Sequence, residues 1–168
     1  MKNLELKAHC NDLGAAKKIC TRIKARSGGI LNQIDSYYNI PSGRIKLREI
    51  RGLRAELIYY FRDNKKHARF SEYEIIKLKN SRNTKKLMKD TLGVLGVVRK
   101  RRELFLYQNV RIHLDTVKEL GTFVEFEAVC KTPSQIKQAP AQISFLKKAF
   151  GIENTRLIAK SYIDLISK

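Results

Sequence analysis

The sequence predicts an α+β domain in which about eight short strands form a closed, or nearly closed, antiparallel barrel with helices outside it. Many short segments alternate polar and apolar residues with period two, the pattern of a strand with one apolar and one polar face. About four other segments repeat apolar residues at helical spacing. Turn residues separate most of these segments, which favours a meander of neighbouring strands.

The composition indicates a single domain, residues 1–168, with a sizeable core, since 43% of the residues are hydrophobic. The net charge of +19, from 35 Lys+Arg against 16 Asp+Glu, predicts a polyanionic partner such as nucleic acid or small phosphates. We expect a soluble, cytoplasmic protein, because no long apolar run or apolar signal region is evident. The three cysteines are widely spaced, so we expect structural thiols.

The chain begins with a predicted strand, a helix and a second strand. Residues 3–9 alternate as a strand does. Asp12 is a plausible N-cap for a helix over 13–23, with the sequence at 27–29 ending the element. The second strand is predicted over 30–39.

Three more strands are predicted to follow as a meander. After a turn at 41–43, residues 44–50 alternate again, and 55–62 (AELIYYFR) is strongly strand-prone. A polar turn at 63–66 leads into a strand over 70–78.

A second helix, predicted over 84–96, precedes the remaining strands. Residues 97–107 form one of these. The stretch RIHLDTVKELGTFVEFE, 111–127, reads as two strands joined by a turn at 120–122.

The C-terminal part is predicted to be helical. We expect a loop over 131–139, with Pro140 as the first residue of a helix that runs to Gly151. Asn154 is expected to cap a last helix, with Ile158 and Tyr162 on its inner face.

One face of each predicted strand carries charge of mixed sign. The cations on these faces are Lys7, Arg44, Lys46, Arg48, Arg62, Lys100, Arg102 and Arg111. The anions are Glu5, Asp115, Glu125 and Glu127. Alternation alone allows these faces to point either to solvent or into the barrel. Helices need an apolar sheet surface to cover, which favours a charged lumen.

A charged lumen of this kind suits a metal-bound phosphate. Lys and Arg bind phosphate oxygens through charge-assisted hydrogen bonds. Carboxylates hold hard cations such as Mg²⁺ or Mn²⁺, which bridge phosphate oxygens and polarise phosphorus. His113 lies on the charged face as an acid/base or, as we favour, a hydrogen-bonding wall residue. Tyr37 is either a ligand contact or ordinary core, so His113 and Tyr37 are the candidate catalytic residues.

Six segments, in this order along the chain, resemble the CYTH superfamily of triphosphate tunnel metalloenzymes, which includes class IV adenylyl cyclases and thiamine triphosphatases. The segments are NLELK at 3–7, GRIKLR at 43–48, AELIYYFR at 55–62, KRR at 100–102, RIHLD at 111–115 and FVEFE at 123–127. The similarity extends to YIDL at 162–165. It implies an eight-stranded antiparallel barrel, a triphosphate tunnel, with flanking helices.

The resemblance also implies roles for individual residues. The divalent metal, Mg²⁺ or Mn²⁺, would be held by Glu5, Asp115, Glu125 and Glu127. Phosphates would be bound by Lys7, Lys46, Arg48, Arg62, Lys100, Arg102 and Arg111. Two positions depart from the family pattern. Asn3 replaces the first glutamate of the E-x-E-x-K motif, and Ile58 stands where members similar to thiamine triphosphatases carry a lysine.

The expected function is a metal-dependent enzyme acting on a nucleoside or organic triphosphate inside the barrel. Motif order is closest to the class IV adenylyl cyclase branch, which converts ATP to cyclic AMP and pyrophosphate. The alternatives are a triphosphatase for thiamine triphosphate, tripolyphosphate or a nucleoside triphosphate, and a non-catalytic binder of nucleotide, polyphosphate or RNA through the basic surface. No membrane partner is expected, and the oligomeric state stays open, with a homodimer as one option.

Overall fold

The computed structural model describes residues 2–62 and 68–166, and the side chain of Arg62 lies outside this description. Within these residues, eight antiparallel strands close into a barrel in the order β1-β5-β4-β3-β2-β6-β7-β8. The strands are β1 (Lys2–His9), β2 (Arg26–Tyr38), β3 (Arg44–Ile50), β4 (Arg54–Arg62), β5 (Arg69–Leu78), β6 (Val94–Tyr107), β7 (Val110–Val117) and β8 (Gly121–Cys130). This confirms the predicted fold class. The predicted turn at 63–66 lies outside the described residues.

Helices flank the barrel. They are α1 (Leu13–Arg22), α2 (Ser81–Leu92), α3 (Pro133–Ala149) and α4 (Tyr162–Ile166), and a 3₁₀ turn spans Asn154–Arg156. The side chain of Asp12 caps α1 as predicted, since its Oδ1 accepts the Ala15 N–H at 2.9 Å.

The first two helices end earlier than the sequence predicted. Helix α1 ends at Arg22, and Lys24 turns the chain with φ +59°. The glycines at 28 and 29 lie instead inside β2, where its register with β6 shifts. Helix α2 ends at Leu92 because Gly93 follows with φ +69°, a conformation that favours glycine.

The prediction for the C-terminal helices was wrong in two places. Helix α3 begins at Pro133, because Thr132 and Gln135 form a capping box there, so Pro140 lies inside the helix. Asn154 begins the 3₁₀ turn, and α4 is a separate short helix that starts at Tyr162.

The main apolar core lies between the barrel wall and helices α1 and α3. The outward residues Leu6, Ile112 and Phe126, from three adjacent strands, are at most 5% exposed and pack with Ile143 and Leu146 of α3. The apolar side of these strands therefore faces the helices, and their charged side faces the lumen.

A second apolar cluster closes one end of the barrel, which we call the α4 end. Ile163 of α4 packs so closely on β6 that a Cβ at Gly96 would lie 2.6 Å from its Cδ1. Tyr162 meets Phe123 edge-on, with ring centroids 5.0 Å apart. None of the helices found in 2–62 and 68–166 has the length and apolarity needed to cross a membrane.

Candidate active site

The charged faces of the strands line one cavity of about 290 Å³ inside the barrel. The predicted site residues on its wall are Glu5, Lys7, Tyr37, Lys46, Arg48, Lys100, Arg102, Arg111, His113, Glu125 and Glu127. The prediction of a charged lumen is therefore confirmed for these residues. Arg44, predicted on the same face as Lys46 and Arg48, instead pairs with Asp164 of α4 at 2.8 Å and is not among the residues that line this cavity. Asp115 lies beneath this wall and is fully buried. The side chain predicted for phosphate binding at Arg62 lies outside the described residues.

Three cations on one side of the tunnel converge on a single carboxylate, that of Asp35. Arg48 binds it in a bidentate manner, from Nε to Oδ1 at 2.8 Å and from a terminal nitrogen to Oδ2 at 2.9 Å. Lys46 Nζ and Lys100 Nζ donate to Oδ2 at 3.2 and 3.0 Å. We call Asp35, Lys46, Arg48 and Lys100 the Asp35 centre. With all four groups ionised, it carries a surplus of positive charge.

Burial and mutual charge set the protonation of the Asp35 centre. Burial alone would raise the pKa of Asp35, but Arg48, Lys100 and Lys46 hold that pKa well below its ordinary value. Burial and the nearby Arg48 lower the pKa of Lys46 to about 7. Burial also lowers the pKa of Lys100. Asp35 therefore stays ionised, whereas burial favours the neutral form of the two lysines. A bound polyanion would favour their charged form again.

Asp115, predicted as a metal ligand, is occupied by other partners. Its Oδ1 accepts from Arg102 Nε at 2.7 Å, and its Oδ2 accepts from a terminal nitrogen of Arg102 at 2.6 Å and from the Tyr162 hydroxyl at 2.9 Å. In this arrangement Asp115 orients Arg102 toward the tunnel and ties α4 to the barrel wall.

The opposite side of the tunnel carries three glutamates, which we call the glutamate centre: Glu5, Glu125 and Glu127. Glu5 accepts from the Ser71 hydroxyl at 2.7 Å. Glu125 lies 3.5 Å from Lys7 Nζ and 3.0 Å from a terminal nitrogen of Arg102. These contacts place carboxylates and cations side by side along one wall.

Glu127, the third member of the glutamate centre, and the neighbouring His113 have polar partners of their own. Glu127 accepts from Arg111 at 3.2 Å and from the side-chain amide of Asn3. His113 Nδ1 lies 3.2 Å from Glu125 Oε2, and its Nε2 lies 3.8 Å from Glu127 Oε2. Burial and Arg102 lower the pKa of His113. The ring is therefore neutral near pH 7.

Oxygen donors for a divalent cation are present on this wall. Glu5, Glu125, Glu127 and Asn3 all line the cavity, and carboxylate and amide oxygens are the ligands that Mg²⁺ and Mn²⁺ prefer. Among the described residues, Asn3 Oδ1 is buried and has no hydrogen-bond partner. The donor chemistry thus fits a hard cation. In the parts of the chain that the structure describes, no three His, Cys, Asp or Glu side chains already form a metal cluster. Glu125 and Glu127 are engaged in ion pairs with Lys7 and Arg111.

Sequence reasoning missed two residues that organise the site, Asp35 and Tyr162. Asp35 was assigned to a strand but given no role, although it lies two residues from Tyr37 on the same face. Tyr162 lies over Lys7, with Nζ 3.8 Å from the ring centroid, a cation–π contact. The alternation could have found Asp35, whereas nothing local indicates the position of Tyr162.

The comparisons with known proteins agree with this geometry. A model of the CYTH domain matches residues 1–162. The chain belongs to the CYTH family. With that family it belongs to the triphosphate tunnel metalloenzymes, as the sequence predicted. Enzymes of the CYTH family are metal-dependent, and triphosphates are substrates that fit the family. Among curated proteins, none matches the chain.

Solved structures share the whole fold with this CYTH protein. The PH1012 protein from Pyrococcus horikoshii OT3 has a TM-score of 0.86 and 23% identity, covering 97% of this chain and 98% of its own. A candidate adenylate cyclase from Vibrio parahaemolyticus has a TM-score of 0.80 and 17% identity, covering 99% and 98%. A candidate adenylyl cyclase from Hippeastrum, with a dominant triphosphatase activity, has a TM-score of 0.62 and 12% identity, covering 90% and 88%. At these identities the likeness shows the fold alone.

Proposed function

We propose that this CYTH protein is a metal-dependent enzyme that binds a nucleoside triphosphate in the tunnel and, as its first candidate reaction, converts ATP to cyclic AMP and pyrophosphate. The observation that carries the proposal is the pairing of two walls in one cavity. The Asp35 centre is rich in cations, and the glutamate centre is rich in oxygen donors. A triphosphate with its divalent cation needs both.

The cations are proposed to bind and orient the phosphates. Asp35 holds Lys46, Arg48 and Lys100 close together. Phosphate oxygens next to these three side chains would gain several charge-assisted hydrogen bonds at once. Arg102 is fixed by Asp115, and Lys7, Arg111 and Arg62 complete the predicted phosphate-binding set.

Glu5, Glu125, Glu127 and the Asn3 amide oxygen are the groups proposed to hold Mg²⁺ or Mn²⁺. Such an ion neutralises phosphate charge and polarises phosphorus. Asp115, the fourth predicted ligand, is proposed to act through Arg102 instead, because both of its oxygens accept hydrogen bonds.

His113 is the better of the two candidate catalytic residues. Its lowered pKa keeps the imidazole neutral, so Nε2 can accept a proton while Glu125 faces Nδ1. Burial and the nearby Tyr60 raise the pKa of Tyr37 well above its ordinary value, so the phenol stays protonated. Tyr37 is therefore proposed as a hydrogen-bonding neighbour of Lys46, 3.3 Å from its Nζ.

Ile58 favours cyclisation over hydrolysis of thiamine triphosphate. The side chain is 6% exposed and lines the tunnel, at the position where members similar to thiamine triphosphatases carry a lysine. The tunnel therefore lacks a cation that this branch of the family places there.

Hydrolysis of a triphosphate is the second candidate. Water can be the nucleophile in the same tunnel, and the Hippeastrum protein with this fold has a dominant triphosphatase activity. Cyclisation needs the ribose hydroxyl aimed at the α-phosphate, whereas hydrolysis needs water aimed at the γ-phosphate.

The deciding experiment incubates the protein separately with ATP, thiamine triphosphate and tripolyphosphate, with Mg²⁺ or Mn²⁺, and resolves the products. Cyclic AMP with pyrophosphate supports the first candidate, and ADP or orthophosphate supports the second. Binding without any product, unaffected by a chelator, would show a non-catalytic binder and overturn the enzyme proposal.

Variants of the tunnel wall test its role in catalysis. Arg111→Ala, and Glu125→Gln together with Glu127→Gln, should each lower turnover about 100-fold or more, because each removes groups that contact phosphate or metal. Thermal unfolding should stay cooperative. Arg99→Ala is the matched control, since Arg99 is exposed on the outer face of β6. Full activity in both wall variants would contradict the assignment of these faces to the site.

A further inference from the structure

The side chain of Gln33, on β2, is buried in the tunnel wall with part of its hydrogen-bonding capacity unused. It is 3% exposed and lines the cavity. Among the described residues, no group donates a hydrogen bond to its buried Oε1. A buried amide oxygen without a partner is costly and uncommon, so its presence in a ligand cavity indicates that a ligand supplies the partner.

Gln33 lies next to the phosphate-binding cations, on the side away from the α4 end. Along the inner face of β2, Tyr37 belongs to the apolar cluster at the α4 end, Asp35 follows, and Gln33 comes next. Its partner in the register with β6 is Lys100. A group attached to a phosphate chain held at the Asp35 centre would therefore reach Gln33 first.

Besides the cation Lys100, three apolar side chains line the cavity near Gln33. Ile50 is its partner on β3, and Leu31 is the next inward residue of β2. Leu104 of β6 leans across Gly28, where a Cβ would lie 2.8 Å from the Leu104 side chain. We call Gln33, Leu31, Ile50 and Leu104 the Gln33 subsite.

Phosphate gains nothing from these apolar walls, because its oxygens need donors or cations. A flat organic ring does gain from them, since it buries apolar surface against them. The combination of apolar walls with one buried amide is typical of a site that fixes the orientation of an organic ligand by a few polar contacts.

We propose that the Gln33 subsite binds the base of a nucleoside triphosphate, with the Gln33 amide as the specificity-determining group. An amide side chain presents a donor and an acceptor together, and it pairs with a base edge that offers the complementary pair, as adenine does. This inference rests on the proposed function and extends it from the triphosphate to the group that the triphosphate carries.

The test compares two ligands that differ only in having a base and sugar. Dissociation constants of ATP and inorganic tripolyphosphate are measured by calorimetry for the wild-type protein and for Gln33→Met, which keeps the length of the side chain but cannot form these hydrogen bonds. We expect ATP to bind about tenfold or more weakly to the variant. Tripolyphosphate should bind with unchanged affinity.

Asn32→Met is the matched control, because Asn32 is the exposed neighbour of Gln33 on the opposite face of β2. It should leave both affinities unchanged. If Gln33→Met does not fold, Leu104→Ala takes its place, since it should weaken the binding of ATP but not that of tripolyphosphate by removing part of the apolar wall.

The outcomes separate this inference from the proposed function. Equal effects of Gln33→Met on both ligands would place Gln33 in the phosphate site and overturn the subsite. Unchanged ATP affinity would show that the amide does not contact the base, with the same consequence. If the wild-type protein bound neither ligand, the proposed function itself would fall.

Discussion

The Asp35 centre and the glutamate centre use carboxylates in opposite ways. At the Asp35 centre, one fully buried carboxylate holds three cations whose side chains are 3 to 17% exposed. At the glutamate centre, Glu125 and Glu127 are 13% and 17% exposed and share their contacts with Lys7 and Arg111. The first carboxylate stabilises the packed cations, and the others line the open cavity.

The difference shows how a tunnel can keep many like charges together. Buried cations without a counter-ion would lose their protons or destabilise the fold. Asp35 counteracts this by accepting hydrogen bonds from all three cations, while the surplus positive charge stays available to phosphate. Glu125 and Glu127 are more exposed to the cavity than Asp35, so we expect a divalent cation to compete with the lysine and arginines that pair with them.

Asp35→Asn should have the largest effect on stability. The change leaves Lys46, Arg48 and Lys100 without their anion, and breaking a buried ion pair from one side costs about 3–5 kcal/mol. We expect this loss in the free energy of unfolding measured with urea. Tripolyphosphate should restore more stability to the variant than to the wild-type protein, because it replaces the missing negative charge.

Glu49→Gln is the control for this prediction. Glu49 lies on β3, close in sequence to Lys46, but its side chain pairs with Lys85 at the surface. Its Oε2 lies 2.6 Å from Lys85 Nζ. An exposed pair of this kind contributes about 1 kcal/mol or less. Similar losses in the two variants would show that Asp35 is no more than an ordinary ion-pair partner.

Period-two alternation predicted the strands and their faces well, because burial of one face of a strand requires an apolar residue at every second position of that strand. Strand β3 has the predicted bounds, and parity alone places Lys46 and Arg48 on one face of it, the face that lines the cavity. The direction of that set depended on the helices, whose apolar faces needed the other side of the sheet.

Contacts between distant strands could not be predicted in the same way. Asp35 and Lys100 are 65 positions apart in the sequence, and they meet only because the barrel pairs β2 with β6. The hydrogen bond from Tyr162 to Asp115 likewise depends on where α4 docks. The start of α3 was predictable, since Thr132 and Gln135 form a capping box that can be read from the sequence.

The pH dependence of triphosphate binding should also distinguish the two centres, because we expect proton uptake at the Asp35 centre. Lys46 has its pKa lowered to about 7, so above this pH it is mostly neutral in the free protein. Phosphate charge beside it raises the pKa in the complex, so binding takes up a proton. At about pH 8 we expect uptake of up to about one proton, with affinity falling as pH rises further.

Calorimetry in buffers of different ionisation enthalpy measures this uptake. Lys46→Met should remove most of it, while Lys118→Met, at an exposed position after β7, should leave it unchanged. Glu125 should not contribute, because its pKa is held well below its ordinary value: burial raises it, but Lys7 and the His113 hydrogen bond outweigh that effect. Equal uptake in the wild-type protein and Lys46→Met would contradict this account of the Asp35 centre.

Asn3→Glu tests the glutamate centre, and we expect a smaller effect from it than from the changes at the Asp35 centre. The Asn3 amide donates a hydrogen bond to Glu127, so it satisfies one Glu127 oxygen without changing the charge of the glutamate centre. A carboxylate there removes that donor and places another negative charge beside Glu127. We therefore expect lower stability without metal and about tenfold tighter binding of Mn²⁺, because metal affinity at such sites follows the number of charged ligands.

The readout is the gain in unfolding temperature on adding Mn²⁺, which needs no substrate or turnover. Asn32→Glu makes the same change of charge on the outer face of β2 and should show no added gain. If the two variants respond alike, the glutamate centre attracts the ion only through the overall charge. A gain confined to Asn3→Glu would mean that this wall coordinates the metal, and that Asn3 limits how strongly it does so.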